Sequence, residues 1–162
     1  GRKGESFPSF QKCQAISETC PNFESRMGLI GMNLERKTVL LQVANERLKD
    51  ATILLKQTRY NGAVYLGGYV IECLLKAAIC VYLNRDNLPA TYRIHELSDL
   101  LYYAGLLPFL RGEQSVSARF TDLATWNVSI RYYGRRFDAQ EAREFLDAVK
   151  EVRIWILRKI SP

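Results

Sequence analysis

The sequence is poor in the residues that build metal sites. Its 162 residues include one histidine, His95, and four cysteines. Cys13 and Cys20 are seven residues apart, and so are Cys73 and Cys80, whereas zinc sites need close pairs such as C-x2-C or H-x3-H. Because a single histidine cannot complete such a set, we expect no metal and no cofactor. We expect the cysteines to be buried thiols of a protein in a reducing cytoplasm.

Long apolar runs and alternating patterns are also missing. A membrane-spanning helix needs about 20 apolar residues, and the best candidate is interrupted by Glu72 and Lys76. The polar N-terminus lacks the apolar core of a secretion signal. No segment alternates apolar and polar residues over a useful length, so we expect no β-sheet. These absences predict a soluble, cytoplasmic protein that does not contact a membrane.

Acidic residues are fewer than basic ones. The chain has 23 lysines and arginines against 17 aspartates and glutamates, which gives a formal net charge of +6. Such an excess favours acidic partners, for example a nucleotide, RNA or the acidic face of another protein. Many globular proteins are equally basic without binding nucleic acid, so the charge alone does not decide between these partners.

Helical periodicity runs through most of the chain. Residues 1–33 carry Pro8 and Pro21 and no sustained period, and we interpret them as an N-terminal arm or irregular extension. Residues 34–162 contain five stretches with apolar residues at the three- and four-residue steps of amphipathic helices. We therefore predict an all-α fold, an up-and-down bundle of four to five helices that follows the irregular N-terminal extension.

The predicted second helix, residues 59–80, has the most distinctive pattern. It contains a Gly67-Gly68 pair, and each glycine inside a helix costs about 1 kcal/mol relative to alanine. We therefore expect another helix to approach closely at Gly67. Glu72 and Lys76 are one turn apart and can form an i,i+4 ion pair. A turn signal at residues 60–62 predicts that this helix runs antiparallel to a first helix at residues 34–57.

The remaining helices are marked by their ends. A third helix is predicted for residues 94–104, before Gly105, and a loop around Pro108 follows it. The fourth helix covers residues 116–130, with Asn127 as one polar residue in its apolar seam. A capping box at residues 138–141 predicts the start of the last helix.

The order of several short segments resembles a known family. These segments are YNGAVYLGGY at residues 60–69, Glu72 followed by LKA, HEL at residues 95–97, and IRY at residues 130–132 before the capped last helix. Over about residues 34–160 the chain resembles the HEPN domain family, which is named from higher eukaryotes and prokaryotes nucleotide-binding. The resemblance implies a helical bundle, frequent homodimers, and nucleotide or RNA binding. It also implies toxin-antitoxin or defence roles, in which a nucleotidyltransferase-like protein is a possible partner.

The ribonuclease motif of that family is absent. Ribonuclease members carry an arginine followed, after four to six residues, by a histidine, which together move a proton and stabilise charge. Before His95 the matching positions, residues 88–90, are Leu, Pro and Ala, and Arg131 has no histidine in its window. We therefore expect a non-catalytic domain. The alternative is a metal-independent, toxin-like ribonuclease that uses His95 and an arginine from elsewhere in the dimer.

His95 allows two interpretations at the start of the predicted third helix. Its ring could form a hydrogen bond with a loop carbonyl, Glu96 or Asp99, which is a structural role. Alternatively, His95 and Arg93 could contact a nucleotide or phosphate at a helix N-terminus.

The densest basic-aromatic cluster is RYYGRRF, residues 131–137. Arginines pair with phosphates and aromatic rings stack on bases, so this segment supplies further candidate ligand-binding residues: Arg131, Tyr132, Arg135 and Arg136. The structural alternative is a loop in which Tyr132 and Phe137 pack on the bundle and the arginines pair with Glu141 or Glu144.

Two further interpretations stay open. Arg131 could point into the bundle and hold a carboxylate such as Glu72. Trp126 and Trp155 have helical spacing from apolar neighbours, so we expect them in the core or in a dimer interface.

A helical interaction module with no nucleic-acid role is the third functional alternative.

Overall fold

A computed structural model of the protein describes residues 35–134 and 136–161. These residues form a bundle of six α-helices: α1 (Lys37–Lys56), α2 (Tyr60–Tyr82), α3 (Leu97–Tyr103), α4 (Leu107–Arg111), α5 (Gln114–Ala124) and α6 (Ala139–Ile160). Two short 3-10 helices, Ala90–Tyr92 and Val128–Tyr132, lie between them. Within these residues the extended backbone forms no strand and pairs only in an isolated bridge between Arg36 and Asn87. The prediction of an all-α bundle is confirmed, while the N-terminal arm lies outside the described residues.

Helices α1 and α2 are antiparallel neighbours, as the sequence predicts. Near the start of α2, a Cβ added to Gly62 would lie 3.1 Å from Cδ1 of Leu54, near the end of α1. At the other end of the pair, the Lys37 amide donates to the Asp86 carbonyl at 2.7 Å. The start of α1 therefore lies beside the segment that follows α2, as expected for an antiparallel pair.

The turn between α1 and α2 lies earlier than predicted. The Arg59 amide donates to the Leu54 carbonyl at 2.9 Å, and Thr58 adopts a positive φ of 56°. This left-handed residue closes the end of α1 in the manner of common helix C-caps. The chain has therefore reversed by Arg59, and residues 60–62 already belong to the first turn of α2.

Helix α2 is the centre of the bundle. Fourteen of its 23 residues are buried, and α1, α3, α6 and the second 3-10 helix all contact it. Contrary to the sequence-based expectation, α2 is long and apolar enough to cross a membrane by length and composition. However, 72% of its most apolar window is buried within the bundle, as is typical of a core helix.

Glycine allows α6 to approach α2 closely. A Cβ added to Gly67 would lie 3.2 Å from Cδ1 of Leu146 and 3.3 Å from Cε1 of Phe145. One turn earlier, Ala63 packs with Leu146 and with Ala51 of α1. The predicted close crossing at Gly67 is therefore confirmed, and α6 is the helix that crosses there.

The predicted third helix is shorter, and a helix replaces the loop after it. Helix α3 begins only at Leu97, after Glu96, and ends before Gly105, which has a positive φ of 69°. Pro108 lies in the first turn of α4, where a missing amide proton costs little. The expectation of a loop around Pro108 was therefore wrong.

The predicted fourth helix is divided in two. Helix α5 ends at Ala124, and Asn127 caps the 3-10 helix by accepting a hydrogen bond from the Ser129 amide at 3.0 Å. Asparagine side chains often bind nearby backbone in this way, which competes with a continuous helix. Asn127 is consequently a cap and not a polar residue in a helical seam.

The capping box at the start of α6 is confirmed. Asp138 Oδ1 accepts hydrogen bonds from the amides of Gln140 and Glu141 at 2.8 and 2.9 Å, and Glu141 Oε2 accepts from the Asp138 amide at 2.9 Å. The box fixes the point at which residues 131–137 enter α6.

Candidate functional site

Residues 131–137, called the basic loop below, begin with the last two residues of the second 3-10 helix and lead to the cap of α6. Its described side chains are exposed except for the half-buried Phe137, and Tyr132 is 78% exposed. The interpretation in which Tyr132 packs on the bundle is therefore wrong, whereas Phe137 does contact the core. Arg135 lies outside the described residues.

Asn61, in the first turn of α2, holds the backbone of the basic loop. Its amide nitrogen donates to the carbonyls of Tyr133 and Gly134, and its Oδ1 accepts from the amides of Arg136 and Phe137 at 3.0 and 3.1 Å. One side chain thus uses its donors and its acceptor on both sides of Gly134. The sequence did not predict this role of Asn61, because residues 60–62 carry the pattern of a turn.

Arg131 and Arg136 lie over aromatic rings of the basic loop. The Arg131 guanidinium is 4.9 Å from the centre of the Tyr132 ring. The Arg136 guanidinium is 5.0 Å from the Tyr133 ring and 5.6 Å from the Phe137 ring. A hydrogen bond to Tyr65 raises the pKa of Arg131 further above its usual range. Aromatic rings therefore hold both guanidinium groups in place.

The expected carboxylate partners of these arginines are engaged elsewhere. Glu141 belongs to the capping box, and Glu144 accepts a hydrogen bond from Gln140 Nε2 at 2.9 Å. Among the described residues no carboxylate forms an ion pair with Arg131 or Arg136. The positive charge of the loop is therefore available to a ligand.

A cavity of about 580 Å³ lies beside the basic loop. Arg59, Tyr60 and Asn61 line it from the start of α2, and Gly134 and Phe137 line it from the loop. This volume falls within the usual range for small-molecule sites. The lining combines a cation, an amide and aromatic rings, which are the groups that bind phosphate, base edges and base faces.

A second polar cluster lies near the middle of α2. Glu72, whose side chain is 3% exposed, accepts from Lys76 Nζ at 2.7 Å and contacts His95 Nδ1 at 3.0 Å, both through Oε1. The predicted Glu72–Lys76 pair is confirmed. The interpretation of His95 bound to a loop carbonyl, Glu96 or Asp99 is wrong, since its partner is Glu72.

The interpretation in which Arg131 points into the bundle and holds Glu72 is wrong, because Glu72 pairs with Lys76 and His95. Glu72 Oε1 already has two partners, while its Oε2 is buried and has none within the described part of the chain. Arg131 binds Tyr65 at the surface instead. Lys76 therefore supplies the fixed positive charge that stabilises Glu72.

Arg93 is also occupied. Its guanidinium binds Glu35 through two contacts, one of them between Nη2 and Oε2 at 2.7 Å. This hydrogen bond raises the pKa of Arg93. Arg93 and His95 therefore do not form the predicted joint phosphate site, because each of them binds a different carboxylate.

The two clusters are separate along α2. Arg131 binds Tyr65 and His95 binds Glu72, which is seven residues further along the helix. At a rise of about 1.5 Å per residue this is about 10 Å along the axis. Among the described residues, no hydrogen bond or ion pair joins His95 or Arg93 to the basic loop.

Trp126 fills the space between α2 and the segment that leads to the basic loop. A Cβ added to Gly68 would overlap the Trp126 ring, and the ring is 1% exposed. The Tyr69 ring meets it edge to face at 5.6 Å, and burial raises the pKa of Tyr69 to about 12. The interpretation of Trp126 as a core residue is confirmed, and Trp155 is buried as well.

In residues 35–134 and 136–161, no group of three or more His, Cys, Asp or Glu side chains could hold a metal ion. Cys73 and Cys80 are buried free thiols, and burial raises the pKa of Cys73 to about 11. Cys13 and Cys20 lie outside the described residues.

Comparison with known proteins agrees with the fold. A family model of the HEPN domain matches residues 38–160. No curated protein and no solved structure matches the chain. Because the family model covers most of the chain, from the start of α1 to the end of α6, the protein belongs to the HEPN family.

Proposed function

We propose that this HEPN domain binds single-stranded RNA through the basic loop and does not cleave it. One observation carries the proposal. Arg131 and Arg136 lie over exposed aromatic rings and have no carboxylate partner among the described residues.

The composition of the basic loop fits the two parts of a nucleotide. Guanidinium groups form charge-assisted hydrogen bonds with phosphate oxygens. Exposed rings such as Tyr132 and Tyr133 stack on bases of any sequence. A site of this kind discriminates little between sequences and loses affinity as salt rises.

Asn61 supports the proposal because it orders the loop before a ligand arrives. Its hydrogen bonds fix the backbone on both sides of Gly134. A preordered loop loses less conformational entropy on binding, which improves affinity. The adjoining cavity, with Arg59 and Tyr60 in its wall, would receive one nucleotide of the bound strand.

The position of His95 supports binding without cleavage. General acid–base catalysis needs a titrating group within hydrogen-bond reach of the reacting atoms. His95 is held at Glu72, about 10 Å along α2 from the partner of Arg131. Arg93, the nearest arginine in sequence, is paired with Glu35.

A metal-independent ribonuclease is the second candidate. His95 Nδ1 contacts a buried carboxylate while its side chain is 48% exposed. A carboxylate that orients an imidazole leaves the other ring nitrogen free to accept a proton. In this case a second copy of the chain would have to supply the arginine.

Binding and cleavage of one labelled single-stranded RNA, measured side by side, test both candidates. We expect the wild-type protein to bind without cleaving, and Arg136→Ala to weaken binding about fivefold, or roughly 1 kcal/mol. Arg119→Ala is the matched control, since it removes the same charge from a surface pair with Glu151. Equal binding by the Arg136 and Arg119 variants would contradict the proposal.

Cleavage that resists a chelator and disappears in His95→Ala would establish the second candidate instead. The circular dichroism of His95→Ala must match the wild type, because His95 also contacts Glu72. Homodimerisation, a nucleotidyltransferase-like partner, a cytoplasmic location and a toxin-antitoxin role remain predictions of the sequence and the family resemblance.

A further inference from the structure

A second aromatic surface lies near the other end of α2. It is a groove of about 520 Å³, called the tyrosine groove below. Its lining includes Tyr82, Tyr92, Tyr102, Tyr103, Pro108 and Arg111. Tyr82 is 21 residues after Asn61, which places the groove about 32 Å along the α2 axis from the basic loop. The groove is thus distinct from the proposed RNA site.

The rings of the tyrosine groove are unusually exposed. Tyr82 is 66% exposed, Tyr102 is 65% exposed and Tyr103 is 42% exposed. Contiguous apolar patches on soluble domains often mark interaction surfaces. A single exposed ring would need no explanation, but these rings share one concave surface.

The rings are also fixed in place. The Tyr103 ring meets Tyr92 at 5.2 Å and Tyr102 at 5.5 Å, both edge to face. Tyr82 packs on Gly105, where an added Cβ would lie 2.7 Å from the Tyr82 ring. Rings that are already ordered lose little conformational entropy when a partner binds.

Charge indicates the chemistry of the partner. Arg111 is the one charged side chain among the described residues that line the groove, and no carboxylate lines it. Arg111 also forms no ion pair within the described part of the chain. The phenolic hydroxyls add further hydrogen-bond donors. A carboxylate on the partner would complement both groups.

We propose that the tyrosine groove binds an acidic peptide segment of another protein, in which a carboxylate adjoins a large apolar side chain. The apolar side chain would pack among the rings, and the carboxylate would bind Arg111. Tyrosine and arginine are enriched at the centres of protein interfaces, where a few residues carry most of the binding energy.

RNA fits this surface less well than it fits the basic loop. Affinity for single-stranded RNA depends strongly on neutralised phosphates. The tyrosine groove offers one cation among four tyrosines, whereas the basic loop has three arginines among three aromatic residues. The groove therefore favours a partner with few charges and more apolar surface.

Selection from a displayed library of random peptides tests the proposal directly. We expect the wild-type protein to enrich peptides with Asp or Glu beside aromatic or branched apolar residues. A selected peptide should bind about tenfold or more weakly to Tyr102→Ser and to Arg111→Glu. Ile53→Ser is the control, since Ile53 is 57% exposed on α1, and it should leave the affinity unchanged.

Several results would overturn the proposal. These are enrichment of no peptide, enrichment of basic peptides, or equal binding of the selected peptide to all variants. Loss of RNA binding in Tyr102→Ser would make the groove a nucleic-acid surface. Loss of self-association in that variant, measured by sedimentation, would make it an interface between two copies of this chain. The peptide results do not depend on whether the basic loop binds RNA.

Discussion

The charged side chains near the start of α2 and those near its middle differ in the partners that they have. At the middle, Lys76 and His95 both contact the carboxylate of Glu72, which is 3% exposed. At the start, Asn61 holds the basic loop, in which Arg131 and Arg136 lie over aromatic rings. Both regions have short polar contacts and both lie beside residues that resemble family motifs. Their charges nevertheless differ in how far they are available to a ligand.

The difference shows that proximity of charged residues is a poor guide to a binding site. An ion pair inside the bundle compensates the cost of desolvating its members. A guanidinium over an exposed ring keeps its hydrogen-bond donors free for a phosphate. Whether a charged side chain already has an oppositely charged partner therefore distinguishes the structural cluster from the candidate site.

Trp126 packs on α2 between the two regions. Among the proposed changes, a substitution of Gly68, which lies against Trp126, should have the largest effect. Gly68→Ala would place a methyl group into the Trp126 ring and should lower the free energy of unfolding by about 3 kcal/mol. Gly67→Ala is the matched control. Its Cβ would meet only the ends of the Leu146 and Phe145 side chains, and alanine recovers about 1 kcal/mol of helix propensity.

Equilibrium unfolding in urea measures both glycine variants. We expect Gly67→Ala to stay close to the wild type. An unfolding free energy of Gly68→Ala equal to that of the wild type would show that Trp126 does not depend on the missing side chain of Gly68.

Glu72→Gln tests the structural assignment of the middle cluster. The change removes the charge that compensates Lys76, whose side chain is 12% exposed, and should cost about 3 kcal/mol of unfolding free energy. The control is Glu151→Gln at the surface pair with Arg119, where we expect a loss below about 1 kcal/mol. Neither change should alter the RNA affinity of the folded protein, measured by fluorescence anisotropy.

The opposite pattern would contradict the structural assignment of the middle cluster. If Glu72→Gln keeps the unfolding free energy but weakens RNA binding, the middle of α2 belongs to the ligand site.

Asn61→Ala tests whether the basic loop is preordered. The change removes hydrogen bonds to four loop residues, so RNA affinity should fall about fivefold, or roughly 1 kcal/mol. Asn45→Ala is the control, because Asn45 accepts a hydrogen bond from Arg153 on another surface of the bundle. Unchanged RNA affinity in Asn61→Ala would show that the loop does not need this support.

Local sequence signals were sufficient for most of the fold. The capping box at Asp138 and the end of α3 at Gly105 depend on residues close in sequence, and both are found where predicted. The division of the predicted fourth helix was missed because Asn127 carries the spacing of a seam residue while its side chain binds the next turn. Periodicity alone does not distinguish a cap from a polar position on a helix.

The candidate site was only partly predictable, since its contacts join distant residues. Composition identified the basic loop, but the support by Asn61 spans more than 70 residues of sequence. The contact between His95 and Glu72 spans 23 residues. A single sequence shows neither pairing, so it could not separate available arginines from paired ones.

The salt dependence of RNA binding tests whether the arginines of the basic loop neutralise phosphates. If Arg131, Arg135 and Arg136 each neutralise one phosphate, the log-log slope of affinity against salt should be about −2, at about −0.7 per contact. The double variant Arg131→Ala with Arg136→Ala should make that slope about 1.4 shallower.

The control for this measurement removes two arginines that already have carboxylate partners. Arg93→Ala with Arg119→Ala lowers the net charge equally, but these side chains pair with Glu35 and Glu151. We predict a shallower slope for the loop variant and an unchanged slope for the control. Equal slopes in both double variants, or no change in either, would contradict binding through the basic loop.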